Sequence, residues 1–202
     1  VSNPVFGKDP ALQHFKQLRV DYVVDGKPSS VTVAEDHVLS LSSGVELAGP
    51  WNVEIGSRKT VFERLVSWSD RPEPHIKYHS GEAIYRTTFQ KPAAPEKSVM
   101  LLDLGTVESL AEVTLNGHTF PALWKPPYRL DISAALRPGS NDLSIRVVNV
   151  WYNRLVGERL GLKDLGGPEV WASTLPDYGP SEPLLPSGLI GPVRLPILLP
   201  KD

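Results

Sequence analysis

Cysteine is absent from this chain of 202 residues, and its absence excludes disulfide bonds, cysteine-ligated metal sites and a cysteine nucleophile. Long apolar runs are also missing: no stretch approaches the roughly 18 consecutive apolar residues that a membrane-spanning helix requires. Neither sign of charge dominates, because 21 Lys and Arg stand against 23 Asp and Glu. We therefore expect neither a nucleic-acid-binding surface nor a polybasic membrane-binding tail.

The amino terminus lacks the features of a secretory signal. The chain begins at Val1 and has no basic segment followed by an apolar stretch, which is the pattern that such signals share. We expect a mature chain or a fragment of a longer protein.

Proline and glycine, in contrast, are abundant, with 20 and 16 residues. Proline ends helices and interrupts strands, so this composition favours an all-β, loop-rich fold. Short runs of alternating apolar and polar residues recur about every 8 to 12 residues between turn signals, a spacing typical of a sandwich or jelly roll. The segment 61–72 is the best helix candidate, although a loop fits it nearly as well.

Two units are predicted along the chain. Residues 1–47 are expected to form a short β-meander, with a third strand at residues 38–41. Residues 48–202 are expected to form a jelly-roll β-sandwich. Within the second unit, the dipeptide Asn116-Gly117 is a strong signal for a two-residue hairpin turn.

A series of segments in the second unit is typical of a known domain family. Between residues 48 and 199 the chain contains, in order, SGEAIYRTTF, LLDLG, AEVTLNGHTF, LWKPPYRLDIS, LRPGSNDLSIRVVNVWYNRLVG and GLIGPVRL. These segments resemble the galactose-binding-like, sugar-binding β-sandwich domain of family 2 glycoside hydrolases. They are still more similar to the carboxy-terminal β-sandwich of family 106 α-L-rhamnosidase-like enzymes.

The resemblance implies an ancillary domain of a secreted or periplasmic bacterial glycoside hydrolase that acts on plant cell-wall polysaccharide. In such enzymes the catalytic carboxylates lie in a (β/α)8 barrel, and this chain is too short to hold a barrel beside the sandwich. The implied partners are an oligo- or polysaccharide and the catalytic domain of the parent enzyme. We expect this chain itself not to be an enzyme.

Carboxylates that hydrolyse a glycosidic bond must flank it, about 5 to 9.5 Å apart. Glu82, Asp103, Asp131 and Glu158 are the candidates, but each has a structural alternative. Asp131 can cap the turn that follows it, and Asp103 can accept a hydrogen bond from a neighbouring backbone amide. We expect no catalytic residue among them.

The five histidines are scattered and no HExxH motif occurs, so the sequence predicts neither a zinc site nor a cofactor. A structural calcium remains open, because a site built from backbone carbonyls and carboxylates leaves almost no trace in a sequence.

Aromatic side chains are the candidates for ligand binding, since Trp and Tyr can stack on the C–H face of a sugar while Arg and Asn hold its hydroxyls. LWKPPY is a loop stiffened by two prolines, and VWYNR follows a predicted strand. A third loop, residues 158–187, is long and irregular, as functional loops often are. The predicted ligand-binding residues are Trp124, Tyr128, Trp151, Asn153, Arg154, Trp171 and Tyr178.

Each of these candidates also has a structural interpretation. Tyr128 and Trp151 could close the end of the core, while Arg154 pairs with Asp131 or Glu158. Trp171 and Tyr178 could dock on the catalytic barrel. The sequence therefore leaves open a carbohydrate-binding module, a buttress for the barrel without sugar affinity, and an intrinsic hydrolase.

Overall fold

The computed structural model describes residues 17–24, 27–34, 44–165 and 182–198. The chain divides into two compact units, Val1–Ser43 and Gly44–Asp202. The sequence prediction divided the chain after residue 47, between the strand Gly44–Glu46 and the strand that follows it.

The first unit contains an antiparallel hairpin of two strands, β1 (Gln17–Val24) and β2 (Lys27–Ala34). Gln17 lies opposite Ala34, and Val24 lies opposite Lys27. Both strands are rich in β-branched residues, which fit the pleated surface of a strand. The third predicted strand at residues 38–41 lies outside the described residues.

The described residues of the second unit form short strands and two short α-helices. The helices are α1 (Pro74–Lys77) and α2 (Tyr152–Arg159). The strands are β3 (Gly44–Glu46), β4 (Trp51–Ile55), β5 (Arg58–Phe62), β6 (Glu82–Gln90), β7 (Val99–Asp103), β8 (Thr106–Glu108), β9 (Leu110–Leu115), β10 (His118–Thr119), β11 (Arg129–Asp131), β12 (Ser140–Val148), β13 (Gly188–Gly191) and β14 (Arg194–Leu198).

The strands of the second unit form antiparallel sheets. A six-stranded sheet has the order β10-β9-β12-β6-β4-β5, and a four-stranded sheet has the order β11-β7-β14-β3. A small sheet pairs β13 with β8. The strand β3 belongs to this unit because it pairs with β14. The predicted all-β, jelly-roll type of sandwich is confirmed.

The core lies between the sheets, and alternation of side chains along each strand produces it. In β9, Ala111, Val113 and Leu115 are fully buried while the residues between them are half-buried. This period of two is the pattern of an antiparallel sheet with one covered face. Trp51 in β4 has an exposed fraction of 0% and belongs to this core.

Two local predictions had different outcomes. The Asn116-Gly117 hairpin is confirmed: Leu115 pairs with His118, and both turn residues have positive φ, 53° and 85°, as a type I′ turn requires. The helix considered for residues 61–72 is wrong. Phe62 ends β5 opposite Trp51, and only Trp68–Asp70 forms a single 3-10 turn.

Candidate functional site

Two loops that carry predicted ligand-binding residues leave the same end of the six-stranded sheet. Leu110 at the start of β9 lies opposite Val148 at the end of β12, which lies opposite Glu82 at the start of β6. Leu123 forms an isolated bridge with Ala111, so Trp124 emerges here, and Trp151 follows Val148 by three residues. We use the term aromatic end for the strand ends at Leu110, Val148 and Glu82 together with the loops that carry Trp124 and Trp151.

Trp124 is the most exposed large apolar side chain described, with 68% of its surface accessible. Its backbone position is fixed on one side by the bridge to Ala111, through hydrogen bonds of 2.8 Å in each direction. On the other side lie Pro126 and Pro127, whose rings restrict the backbone. The ammonium nitrogen of Lys125 lies 5.0 Å from the centre of the indole ring, a cation–π contact that leaves most of the ring in solvent.

Trp151 stands at the start of helix α2 with 46% of its surface exposed. Two other exposed apolar side chains belong to neighbouring backbone: Val150 precedes it, and Leu185 is hydrogen-bonded to the first turn of α2. An exposed group of apolar side chains commonly marks a surface that contacts something else.

Tyr128 is almost buried, with 7% of its surface exposed. Its hydroxyl donates a 2.8 Å hydrogen bond to the carbonyl oxygen of Ser109. Burial, with a smaller contribution from the carboxylate of Glu108, raises the pKa of this hydroxyl, so that it remains a donor at neutral pH. Tyr128 thus ties the proline loop to the start of β9.

Asn153 is also buried, and its amide group is paired with a backbone segment rather than directed outward. Its Oδ1 accepts a 2.8 Å hydrogen bond from the amide of Leu185, and its Nδ2 donates one of 2.8 Å to the carbonyl of the same residue. Tyr152 adds a hydrogen bond of 2.6 Å to Glu182. These contacts fix the chain after residue 181 against α2.

Arg154 is 6% exposed and pairs with Glu158 one helical turn later, at 2.7 Å. This is one of the two pairings that the sequence predicted for it. Direct sugar contacts of Tyr128, Asn153 and Arg154 stay a prediction, and the structure gives each of them a partner within the fold. Trp171 and Tyr178 lie outside the described residues, and their role stays a prediction as well.

A buried polar network below the aromatic end was missed by the sequence analysis. Asn149 accepts a hydrogen bond from the amide of Gly81 and donates one to the carbonyl of His79. His79 packs edge-on against Trp68, with ring centres 5.4 Å apart. Burial lowers the pKa of His79, and the nearby guanidinium of Arg154 lowers it further. No sequence signal distinguished these residues, because the contacts join segments about seventy residues apart.

The candidate carboxylates all take part in local contacts. Asp131 accepts from the backbone amide of Ser133 at 2.9 Å, and Asp103 accepts from that of Gly105 at 3.0 Å; both contacts were predicted. Asp103 also pairs with Arg129 at 2.6 Å. Glu82 pairs with Arg146 at 2.7 Å, and Glu158 holds Arg154 as described above.

The described residues contain neither a metal-binding cluster nor a membrane-spanning helix. In that part of the chain, no three His, Cys, Asp or Glu residues come close enough together to hold a metal ion. Over the same residues, no helix has the length and apolar character needed to cross a membrane.

The antiparallel β-sandwich is the fold type of galactose-binding-like domains. The chain belongs to the family described as glycosyl hydrolase 2 galactose-binding domain-like, whose model matches residues 52–161. The resemblance found in the sequence is thereby confirmed at the level of the family.

Three relatives illustrate the range of proteins that share this domain. A protein of Formosa agariphila named "Putative beta-glucuronidase" is 37% identical over 89% of this chain and 17% of its own length. The structure of a rhamnosidase from Novosphingobium sp. PP1Y superposes with a TM-score of 0.68 and 32% identity, over 88% of this chain and 19% of that one. An FMN-binding beta-glucuronidase of Facaelibacterium prausnitzii L2-6 shares the fold, with a TM-score of 0.52 and 20% identity over 80% of this chain and 23% of its own.

The chain thus spans about a fifth of the length of the relatives that it matches. The family match and the two relatives of 30% identity or more establish a glycoside-hydrolase context for the domain. The activities in the relatives' names refer to much longer proteins.

Proposed function

We propose that this chain is a non-catalytic, carbohydrate-binding domain of a bacterial α-L-rhamnosidase-like glycoside hydrolase that acts on plant cell-wall polysaccharide. The observation that carries the proposal is the position of Trp124, which is 68% exposed on a loop fixed by the Leu123–Ala111 bridge and two prolines. A rigid, exposed indole offers a flat apolar face at little cost in conformational entropy. Such a face suits the C–H surface of a sugar ring.

Within this proposal the predicted residues divide into two groups. Trp124 and Trp151 contact the sugar, because both are exposed and belong to loops at the same end of the sheet. Tyr128, Asn153 and Arg154 hold those loops in place through the buried hydrogen bonds described above. The rhamnosidase-like assignment is supported by the sequence resemblance and by the rhamnosidase structure, and the polysaccharide substrate follows from the resemblance. A polymeric substrate outside the cell would require a secreted or periplasmic enzyme.

A glycan array tests the binding role directly. The purified chain would be applied to plant and microbial glycans, with and without calcium, and we expect a specific signal for a plant cell-wall oligosaccharide. A signal that depends on calcium would add a structural ion to the proposal. The absence of any signal under either condition would contradict a carbohydrate-binding role.

A second candidate function is a buttress that packs on the catalytic domain of the parent enzyme without affinity for sugar. It is favoured by the exposed group of Val150, Trp151 and Leu185 at the start of α2, because apolar surface of this kind gains free energy when another domain covers it.

The buttress function predicts a difference between the isolated chain and the parent enzyme. Leu185→Ser would leave the unfolding midpoint of the isolated chain unchanged but lower that of the full-length parent enzyme by several degrees. Val61→Ser, at an exposed site on strand β5, serves as the matched control. Equal effects of Leu185→Ser and Val61→Ser in the parent enzyme would exclude a packing role for this surface.

A further inference from the structure

The solvent-facing side of the six-stranded sheet carries a row of polar side chains in register. Cross-strand neighbours along this row are Thr119, Thr114, Ser144, Arg86 and Asn52, one from each of five adjacent strands. Neighbouring strands lie about 4.8 Å apart, so the five positions extend roughly 19 Å across the sheet.

A recess of about 550 Å³ lies over this row. Small side chains of the central strands, Ser144, Thr114 and Thr88, form its floor. The Gly49-Pro50 segment and the turn glycine Gly117 lie at its margins. Its volume falls within the range of small-ligand sites, about 300–1,000 Å³.

The recess is separated from the aromatic end. It lies near the end of β9, the start of β12 and the end of β6, whereas the aromatic end lies at the opposite ends of the same strands. Asp142 and Val148 are six residues apart in β12, which corresponds to roughly 20 Å at about 3.4 Å per residue. A ligand in the recess would therefore be distinct from one that stacks on Trp124.

The polar groups of the recess differ from those on the rest of the same face. Outside it, Arg146 pairs with both Glu82 and Glu112 at 2.7 Å, so those charges are mutually satisfied. Inside it, the described part of the chain supplies no hydrogen-bond partner for the side chains of Asn52, Thr88, Ser144 and Asp142. Two hydroxyls, an amide and a carboxylate thus retain their capacity for hydrogen bonds.

The chemistry of the recess indicates one class of ligand. The lining contains one guanidinium, of Arg86, and one carboxylate, of Asp142, and the guanidinium is also paired with Glu54 at 3.1 Å, so the recess has no excess of positive charge that would favour an anionic ligand. The lining includes no aromatic side chain, and aromatic anchors dominate protein–protein contacts. Mixed donors and acceptors without an excess of positive charge complement the closely spaced hydroxyls of an uncharged sugar chain.

We propose that this recess is a second carbohydrate-binding site, which takes a neutral oligosaccharide and recognises it through hydrogen bonds rather than by stacking. The hydrogen-bonding contacts come from the lining side chains of Asn52, Arg86, Thr88, Asp142 and Ser144. The proposal does not depend on the role of Trp124, because a different set of residues at the other end of the strands carries it.

Amide chemical shifts of the full 202-residue chain would be followed by NMR during titration with cellotriose, xylotriose, galactotriose and, as an anionic comparison, trigalacturonate. We expect at least one neutral trisaccharide to shift the amides of residues 86–88, 114–117 and 142–144. Trigalacturonate is expected to bind more weakly than that sugar. If no neutral trisaccharide shifts these amides, or if trigalacturonate binds most tightly, the proposal is overturned.

Variants then locate the contact. Ser144→Leu fills the recess and is expected to abolish the shifts, and Asn52→Ala is expected to raise the dissociation constant about three- to tenfold, as the loss of one or two hydrogen bonds does. Glu112→Leu, a matched substitution on the same face outside the recess, should leave binding unchanged. Only variants that unfold at the same midpoint as the wild type are compared.

Trp124→Ala separates this proposal from the binding role of the aromatic end. Binding that survives Trp124→Ala and is lost in Ser144→Leu supports the second site. Binding that is lost in Trp124→Ala and unchanged in Ser144→Leu assigns the sugar to the aromatic end and overturns the recess.

Discussion

At the scale of the residue, the close approach of Gly188 to Trp68 fixes the buried region beneath the aromatic end. The indole nitrogen of Trp68 donates a hydrogen bond to the hydroxyl of Tyr85, which also accepts one from the amide of Leu189. Burial raises the pKa of Tyr85 to about 12. A β-carbon at Gly188 would overlap the indole ring, and the φ of Gly188 is +86°, so both its size and its backbone favour glycine.

Gly188→Ala should therefore lower the unfolding free energy by more than the unfavourable positive φ alone would. Gly117→Ala is the matched control, since its φ is +85° but nothing lies within 4 Å of the added carbon. The control should lose about 1–2 kcal/mol of unfolding free energy, and Gly188→Ala should lose about 1–3 kcal/mol more from overpacking. Denaturant unfolding followed by tryptophan fluorescence measures both, and equal losses would contradict the packing argument.

His79 predicts a dependence of stability on pH. Because burial lowers its pKa below the ordinary value of about 6.5, the unfolded chain binds a proton at a higher pH than the folded chain does. The stability contributed by neutral His79 is therefore complete above about pH 6.5 and is lost as the pH falls toward the folded-state pKa.

We expect the unfolding free energy of the wild-type chain to fall between pH 7.5 and pH 5.5. His79→Gln, which keeps a hydrogen-bonding group near the carbonyl of Glu82, should show a clearly smaller fall over the same interval. Parallel pH profiles of the two proteins would show that another group is responsible.

At the scale of the element, helix α2 is held mainly by contacts that a local pattern does not reveal. The sequence pattern places VWYNR after a strand, and it does not predict the eight-residue helix Tyr152–Arg159. Its buried face includes Asn153 and Arg154, whose polar character hides the amphipathic pattern by which helices are usually identified. The hydrogen bonds of Asn153 to the backbone of Leu185 offset the cost of burying its polar side chain.

Asn153→Ala should destabilise the chain because it leaves the amide and carbonyl of Leu185 without their side-chain partner. We expect a loss of about 1–3 kcal/mol in unfolding free energy, with faster hydrogen exchange at the amide of Leu185. Asn52→Ala is the control: Asn52 is exposed and has no hydrogen-bond partner in the described part of the chain, so its change should stay within about 0.5 kcal/mol. Unchanged exchange at Leu185 would contradict this role of Asn153.

The strands, in contrast to α2, were largely predictable. The alternation in β6, β9 and β12 and the hairpin at Asn116-Gly117 follow from local rules of side-chain period and turn conformation. The bridge from Leu123 to Ala111 and the network around Asn149 join distant segments, and no local pattern specifies such pairs. For this reason the burial of Asn153 could not be anticipated, whereas the place of Tyr128 at the end of the core and the pairing of Arg154 with Glu158 were among the alternatives that the sequence left open.

At the scale of the whole molecule, the chain is a galactose-binding-like domain that corresponds to about a fifth of its longer relatives. Its six-stranded sheet presents exposed tryptophans at one end and a polar recess near the other. The two surfaces suit different ways of binding sugar, stacking at Trp124 and hydrogen bonding over Ser144. Under the proposed function, the domain would keep a polymeric substrate close to the catalytic part of the parent enzyme.

The most direct test of the account is a calorimetric titration of the wild-type chain and of Trp124→Ala with the glycan that the array identifies. We predict that the substitution weakens binding at least about tenfold, or about 1.4 kcal/mol, with no change in unfolding midpoint, and that the Val61→Ala control binds as the wild type does. Equal affinity of the wild type and Trp124→Ala would contradict the central claim that the aromatic end binds carbohydrate.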